Sequence, residues 1–136
     1  MRKIKFRGKR IDNGEWVVGS LINKIKPTEI EDVFWASLIH DGALTAVEVN
    51  PETVGQFTGL HDKNGVEVWE GDIVSSDWLI NEEKIIFNCT GEVKYSNKNY
   101  CYEIRGVNTF MPFSSDESTL KSIEIIGNVF DKPELL

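Results

Sequence analysis

Apolar and polar residues alternate with a period of two at the start of the chain, where Ile4 and Phe6 interleave with Lys3, Lys5 and Arg7. This is the pattern of a strand with one buried and one wet face. A second strand-forming run, Glu15–Ile22 (EWVVGSLI), follows the turn letters Asp12-Asn13-Gly14. Asn-Gly between apolar runs predicts a hairpin of Lys3–Lys9 with Glu15–Ile22. Its turn should be of type I′, with positive φ at both central residues.

Further along, PTEIEDVFWASLIHDG admits two readings. Phe34, Trp35, Leu38 and Ile39 suit a short helix, while VFWASLI between turn letters suits a buried strand; the strand is the preferred one. TAVEVN gives a short strand ending at Asn50, which caps a helical turn begun by Pro51, where a missing N–H costs nothing. Thr58–Val74 (TGLHDKNGVEVWEGDIV) reads as strand, turn, strand, tight corner and strand, with Gly65 and Gly71 at the bends.

GEVKYSNKNYCYEIRG predicts a hairpin around Ser96-Asn97-Lys98-Asn99 that pairs Tyr95 with Tyr100 and Val93 with Tyr102. Val93, Tyr95, Tyr100, Tyr102 and Ile104 then share one face, and Glu92, Lys94, Cys101 and Glu103 the other. That register sets Cys101 opposite Lys94 and keeps it apart from Cys89. SDESTLKS offers one more helical turn before the strand SIEIIGNVF. The expected class is mainly β, built from short-stranded hairpins with at most one or two short helices.

Composition narrows the function more than the fold. A chain of 136 residues with 40% hydrophobic and 27% charged residues is that of a soluble globular protein. Its net charge of −7 disfavours nucleic acid and anionic membranes at long range. The charge is uneven: MRKIKFRGKR holds six basic residues and no acid, against nine basic and twenty-two acidic residues in the rest. A basic arm for nucleic acid is one reading. The alternation favours a strand whose basic face meets acidic neighbours. No apolar run suits a secretion signal or a membrane span, and two cysteines make no disulfide framework, so a cytoplasmic location is expected.

Candidate chemistry is sparse. Glu67, Glu70, Asp72 and Asp77 crowd together, and Asp62-Lys63-Asn64-Gly65 faintly resembles a calcium loop, but the glycine comes fourth rather than sixth. Asp72 is better placed to accept backbone N–H bonds at its corner. His40-Asp41 and His61-Asp62 lack further ligands at zinc spacing, and Ser75 and Ser76 lack the glycines of a nucleophile elbow. No phosphate-binding glycine motif is present. No catalytic, cofactor-binding or metal-binding residue is therefore assigned. The alternative is a single-strand nucleic-acid surface in which Tyr95, Tyr100 and Tyr102 stack bases while Lys3, Lys5 and Arg7 supply charge. The competing reading places the tyrosines in the core.

Three blocks taken in order, IKFR at the start, PETVGQFTGLHDKNGVEVWEGDIV in the middle and EIIGNVFDKPELL at the end, resemble the YopX family of phage and prophage proteins. The spacer Trp78–Thr90 (WLINEEKIIFNCT) is longer than the family pattern suggests and reads as a loop peculiar to this chain. The resemblance implies a mainly β protein divided into an N-terminal β region, 1–57, and a C-terminal region, 58–136, similar to a small SH3-like barrel. It implies no enzymatic activity and no cofactor. The expected partner is a second copy of the chain, forming a homo-oligomer, or another phage or host protein in the cytoplasm of a bacterial cell.

Overall fold

A computed structural model of the chain describes residues 3–26, 33–40, 46–79, 86–106, 110–112 and 123–136, with side chains over 3–22, 46–76, 90–106 and 123–136. The protein is mainly β, in antiparallel sheets, and its chain divides into two units, Met1–Phe57 and Thr58–Leu136.

In the first unit β1 (Phe6–Lys9) pairs with β2 (Trp16–Lys26), β2 with β3 (Val33–His40), and β3 with β4 (Ala46–Val49). Residues 33–40 thus resolve as strand. The first hairpin forms at the expected place but not through the expected turn. Arg10 N donates to Glu15 O and Gly14 N to Arg10 O, both at 2.9 Å, and of the turn residues only Gly14 has positive φ, at 71°. A type I′ turn needs two such residues. The longer loop needs one, and the Asn13 side chain accepts the Glu15 N–H at 2.9 Å instead of twisting its own backbone.

Phe6, Leu21, Val47 and Val54 pack around buried Val17 and Val49. Gly8 is buried because a Cβ there would come within 3.1 Å of Val49. One bridge, Arg10 with Val49, draws β4 toward the end of β1, flanked by Asn50 N donating to Lys9 O at 2.8 Å. A single bridge is not a ladder, so the sheet stays open. Asn50 caps the 3-10 turn Pro51–Thr53, its side chain accepting from Glu52 N at 3.1 Å, as its position before proline predicts. The start of β5 (Gly55–His61) lies beside β1, pairing Phe6 with Gln56 and Arg7 with Gly55.

In the second unit the rest of β5 leads through a turn to β6 (Glu67–Trp69). β7 (Asp72–Leu79), β8 (Ile86–Ser96), β9 (Cys101–Arg105), β10 (Phe110–Pro112) and β11 (Ile123–Asn128) make a five-stranded sheet of order β10-β9-β8-β7-β11. Among the described residues no ladder joins β10 to β11. Val68, Val74, Val93, Ile104 and Ile123 form its core, with Ile125 packed against them. Ile73 and Glu103 point to the other face and are buried as well, so β7 and β9 are covered on both sides.

Three sequence expectations change here. The β8–β9 register pairs Tyr95 with Tyr102 and Val93 with Ile104, two residues from the expected one, because the turn is Asn97–Tyr100 rather than Ser96–Asn99. Tyr100 leaves the strand face and takes φ 53°, a conformation usually left to glycine or asparagine. Cys101 consequently faces Ser96, not Lys94. The long spacer after GDIV is not all loop: Asp77–Asn88, Trp78–Phe87 and Leu79–Ile86 pairs carry the β7–β8 hairpin into it from both ends. The helical turn expected in SDESTLKS lies outside the described residues.

Candidate functional site

The Thr58–Val74 stretch uses its polar groups to hold backbone. Asp62 is buried and bonds three backbone N–H groups: Oδ1 accepts from Asn64 at 2.8 Å and Val66 at 2.9 Å, and Oδ2 accepts from Ile125 at 3.2 Å. Burial alone would raise its pKa; the Val66, Ile125 and Asn64 N–H bonds, with Lys63 nearby, hold it below the ordinary value. Lys63 N donates to Ile123 O at 2.9 Å. The turn therefore occupies the outer edge of β11 at Ile123 and Ile125, where an open strand edge would otherwise invite pairing. Asp72 Oδ2 accepts from Trp69 N at 2.8 Å, the corner role its position predicts. Thr58 Oγ1 donates to Val68 O at 2.7 Å across the hairpin. Gly65 and Gly71 supply the positive φ values, 80° and 89°. These carboxylates work as architecture.

The residues of the alternative nucleic-acid surface fall into two separate sets. Lys3 is exposed, while the Lys5 ammonium lies 4.8 Å from the Phe57 ring centre and the Arg7 guanidinium 4.6 Å from that of Trp16. Lys9 joins the same indole at 5.5 Å. The wet face of β1 is thus a row of cations laid over aromatic rings, an arrangement that holds long side chains in place. All of these belong to the first unit.

The three tyrosines belong to the second unit and do not share one environment. Tyr102 is buried and meets Tyr95 edge-on at 5.3 Å. Tyr95 is 43% exposed and Tyr100 81%. On the opposite face of the hairpin, Lys94 pairs with Glu92 at 3.2 Å along its strand and stands across from Glu103, while Arg105 bonds Glu103 and stands across from Glu92. Glu103, expected at the surface, is 1% exposed. Arg105 answers one oxygen of this buried carboxylate along the strand, while Oε2 is buried without a hydrogen-bond partner.

One surface was not singled out in the sequence. Ile126, Phe130 and Leu135 are 37%, 36% and 37% exposed, and Leu136 lies beside them in the chain. A register shift between Ile125 and Gly127 in β11 turns this end of the strand. Asn128 Oδ1 then accepts from Phe130 N and Asp131 N, and Val129 N donates to Gly71 O, folding the tail back. Leu135 lies against Gly127, where a Cβ would come within 2.9 Å, and Phe130 covers Gly71 at 2.8 Å from the corresponding position. The fold thus gathers EGD and IIGN-to-PELL into one corner.

A family model described as YopX protein matches residues 5–136. The chain belongs to the YopX family. Two of the blocks on which the resemblance rests, EGDIV and IIGN…PELL, meet where Phe130 covers Gly71 and Leu135 lies against Gly127 in this YopX protein. Among solved structures it is similar to protein EF1440 from Enterococcus faecalis, at 22% identity and a TM-score of 0.51, with 100% of this chain and 99% of that one covered. That likeness is one of fold. No curated protein matches the chain. No helix among the described residues is long and apolar enough to cross a membrane.

Proposed function

We propose that this YopX protein is a phage- or prophage-derived accessory protein that acts by binding protein, itself included, in the cytoplasm of a bacterial host, and not by catalysis. The observation that carries this reading is the C-terminal segment of an acidic unit, in which Ile126, Phe130, Leu135 and Leu136 each stay partly open. Several exposed apolar side chains within one short segment suit protein contact better than small-molecule chemistry. We read the second unit as SH3-like in its strand succession, with its sheet left open.

The test is purification of tagged protein from prophage-induced cells, wild type beside Ile126→Asp. A partner, or the protein's own untagged copy, retained by wild type and lost by the variant supports the reading. Identical retention overturns it.

A second reading draws on Tyr95 and Tyr100, exposed on the hairpin that also carries Lys94 and Lys98: a platform for single-stranded nucleic acid. Oligonucleotide binding at low salt that weakens as salt rises, and that Tyr100→Ala reduces, would support it. No binding at low salt removes it.

A further inference from the structure

We propose that Asn64 is a site of spontaneous backbone rearrangement, and that its isoaspartyl product loosens the Asp62 turn from the outer edge of β11. Two asparagines of the chain precede glycine, Asn13 and Asn64. A glycine there leaves its own nitrogen open to the side-chain amide before it, since no Cβ stands in the way. At Gly14 and Gly65 alike a Cβ would meet nothing within 4 Å, and both asparagines are exposed. The two glycine nitrogens are also engaged alike, Gly14 N donating to Arg10 O at 2.9 Å and Gly65 N to Asp62 O at 3.0 Å.

What differs is the amide under attack. The Asn13 side chain is held at both ends: Oδ1 accepts from Glu15 N at 2.9 Å and Nδ2 donates to Glu15 Oε2 at 3.4 Å. Among the described residues Asn64 bonds only through its backbone, N donating to Asp62 Oδ1 at 2.8 Å, and its side chain is free to turn toward Gly65. Attack of Gly65 N on Asn64 Cγ forms an N–Cγ bond and breaks Cγ–Nδ2. Nδ2 leaves as ammonia, taking the proton that Gly65 N gives up. Water then opens the five-membered imide. Addition at Cγ gives aspartate; addition at the main-chain carbonyl gives isoaspartate, whose main chain runs through Cβ and Cγ and is one carbon longer.

That extra carbon falls within a short span that one oxygen holds at two points. Asp62 Oδ1 accepts from both Asn64 N and Val66 N, while Oδ2 accepts from Ile125 N. The added carbon lies between Asn64 N and Val66 N, so the two donors no longer fit a single acceptor and the carboxylate shifts. Its hold on Ile125 weakens with it, and the edge of β11 opens to other pairing.

The experiment incubates the whole chain at mildly alkaline pH, folded and in urea, and follows both asparagines by peptide mass mapping, with enzymatic methylation marking isoaspartate. In the folded protein Asn64 should convert at least about fivefold faster than Asn13, the factor one ordinary hydrogen bond contributes. In urea the two rates should converge. As isoaspartate accumulates, hydrogen exchange of the Ile125 amide should quicken. Asn64→Gln, whose longer side chain closes the ring far more slowly, should show no such change on ageing; if it fails to fold, Asn64→Ser takes its place. Asn64→Asp has the product's charge without the extra carbon and should begin with wild-type protection at Ile125. Equal rates at Asn13 and Asn64 in folded protein, no conversion of Asn64 while the unfolded chain converts, or isoaspartate at 64 with Ile125 exchange unaltered overturns the proposal.

Discussion

Met1–Phe57 carries eight basic and eight acidic residues, whereas Thr58–Leu136 carries seven basic and fourteen acidic, so the whole net charge of −7 resides in the second unit. The units also use polar groups differently. In the first, cations lie over rings, Lys5 on Phe57 and Arg7 with Lys9 on Trp16, and the core is a small aliphatic cluster around Val17 and Val49. In the second, carboxylates are drawn inside. Asp62 and Asp72 accept backbone N–H groups, and Glu103 is buried beside Arg105. The comparison teaches that acidic residues here need not mean a wet surface. Several hold backbone together, and the second unit should therefore feel pH and carboxylate removal more than the first.

Amide hydrogen exchange in low urea, read unit by unit, tests that difference. The largest effect should come from the cores. Ile104→Ala should destabilise the second unit by about 3–4 kcal/mol and Val49→Ala the first by about 2 kcal/mol, since both side chains are fully buried and the isoleucine loses more. Equal losses would erase the distinction between the two cores.

Next comes Asp62→Ala, which strands three N–H groups and should cost the second unit about 2–3 kcal/mol while leaving protection in the first unchanged. Asp62→Asn keeps an acceptor and should cost less.

The pH dependence is subtler. Asp62 has a depressed pKa in the folded state, so its contribution is complete above the unfolded carboxylate range and disappears as pH falls through the folded value. Stability of the second unit should therefore decline below about pH 4, and Asp62→Asn should flatten that slope. Asp12 in the first unit is also depressed, by its hydrogen bond to Arg10, but it is exposed and screened, so the first unit should show the weaker acid response. An unaltered slope in Asp62→Asn would place the acid response elsewhere.

The smallest effect belongs to the Lys63–Glu124 pair, 3.2 Å apart and largely exposed: Glu124→Gln should change stability by less than about 0.5 kcal/mol, and salt should remove the difference.

Local chemistry was legible in the sequence; cover was not. Gly65, Gly71, Asn50 and Asp72 do what their letters imply, because a turn or a cap depends on a few neighbouring residues. The Val33–His40 strand follows from its flanking turn letters. The hairpin register was missed because Tyr100, and neither asparagine beside it, adopts the left-handed conformation. The type I′ turn was missed because Arg10 and Glu15 close a longer loop than Asn-Gly alone suggests.

Glu103 and the corner of Ile126, Phe130 and Leu135 were illegible for another reason. Alternation assigns a residue to a face but does not say which faces are covered, and the shift after Ile125 upsets the alternation itself. The nucleic-acid set joined residues by type, and its tyrosines turned out to occupy three different environments.

Asp62 and Ile125 stand 63 positions apart, yet one carboxylate oxygen joins them. That bond needs both the turn and the last strand in place, so it is expected late in folding. Its expected consequence is kinetic: losing the Asp62–Ile125 bond should speed opening of the finished structure more than it slows assembly, whereas the local bonds to Asn64 and Val66 can form with the turn itself.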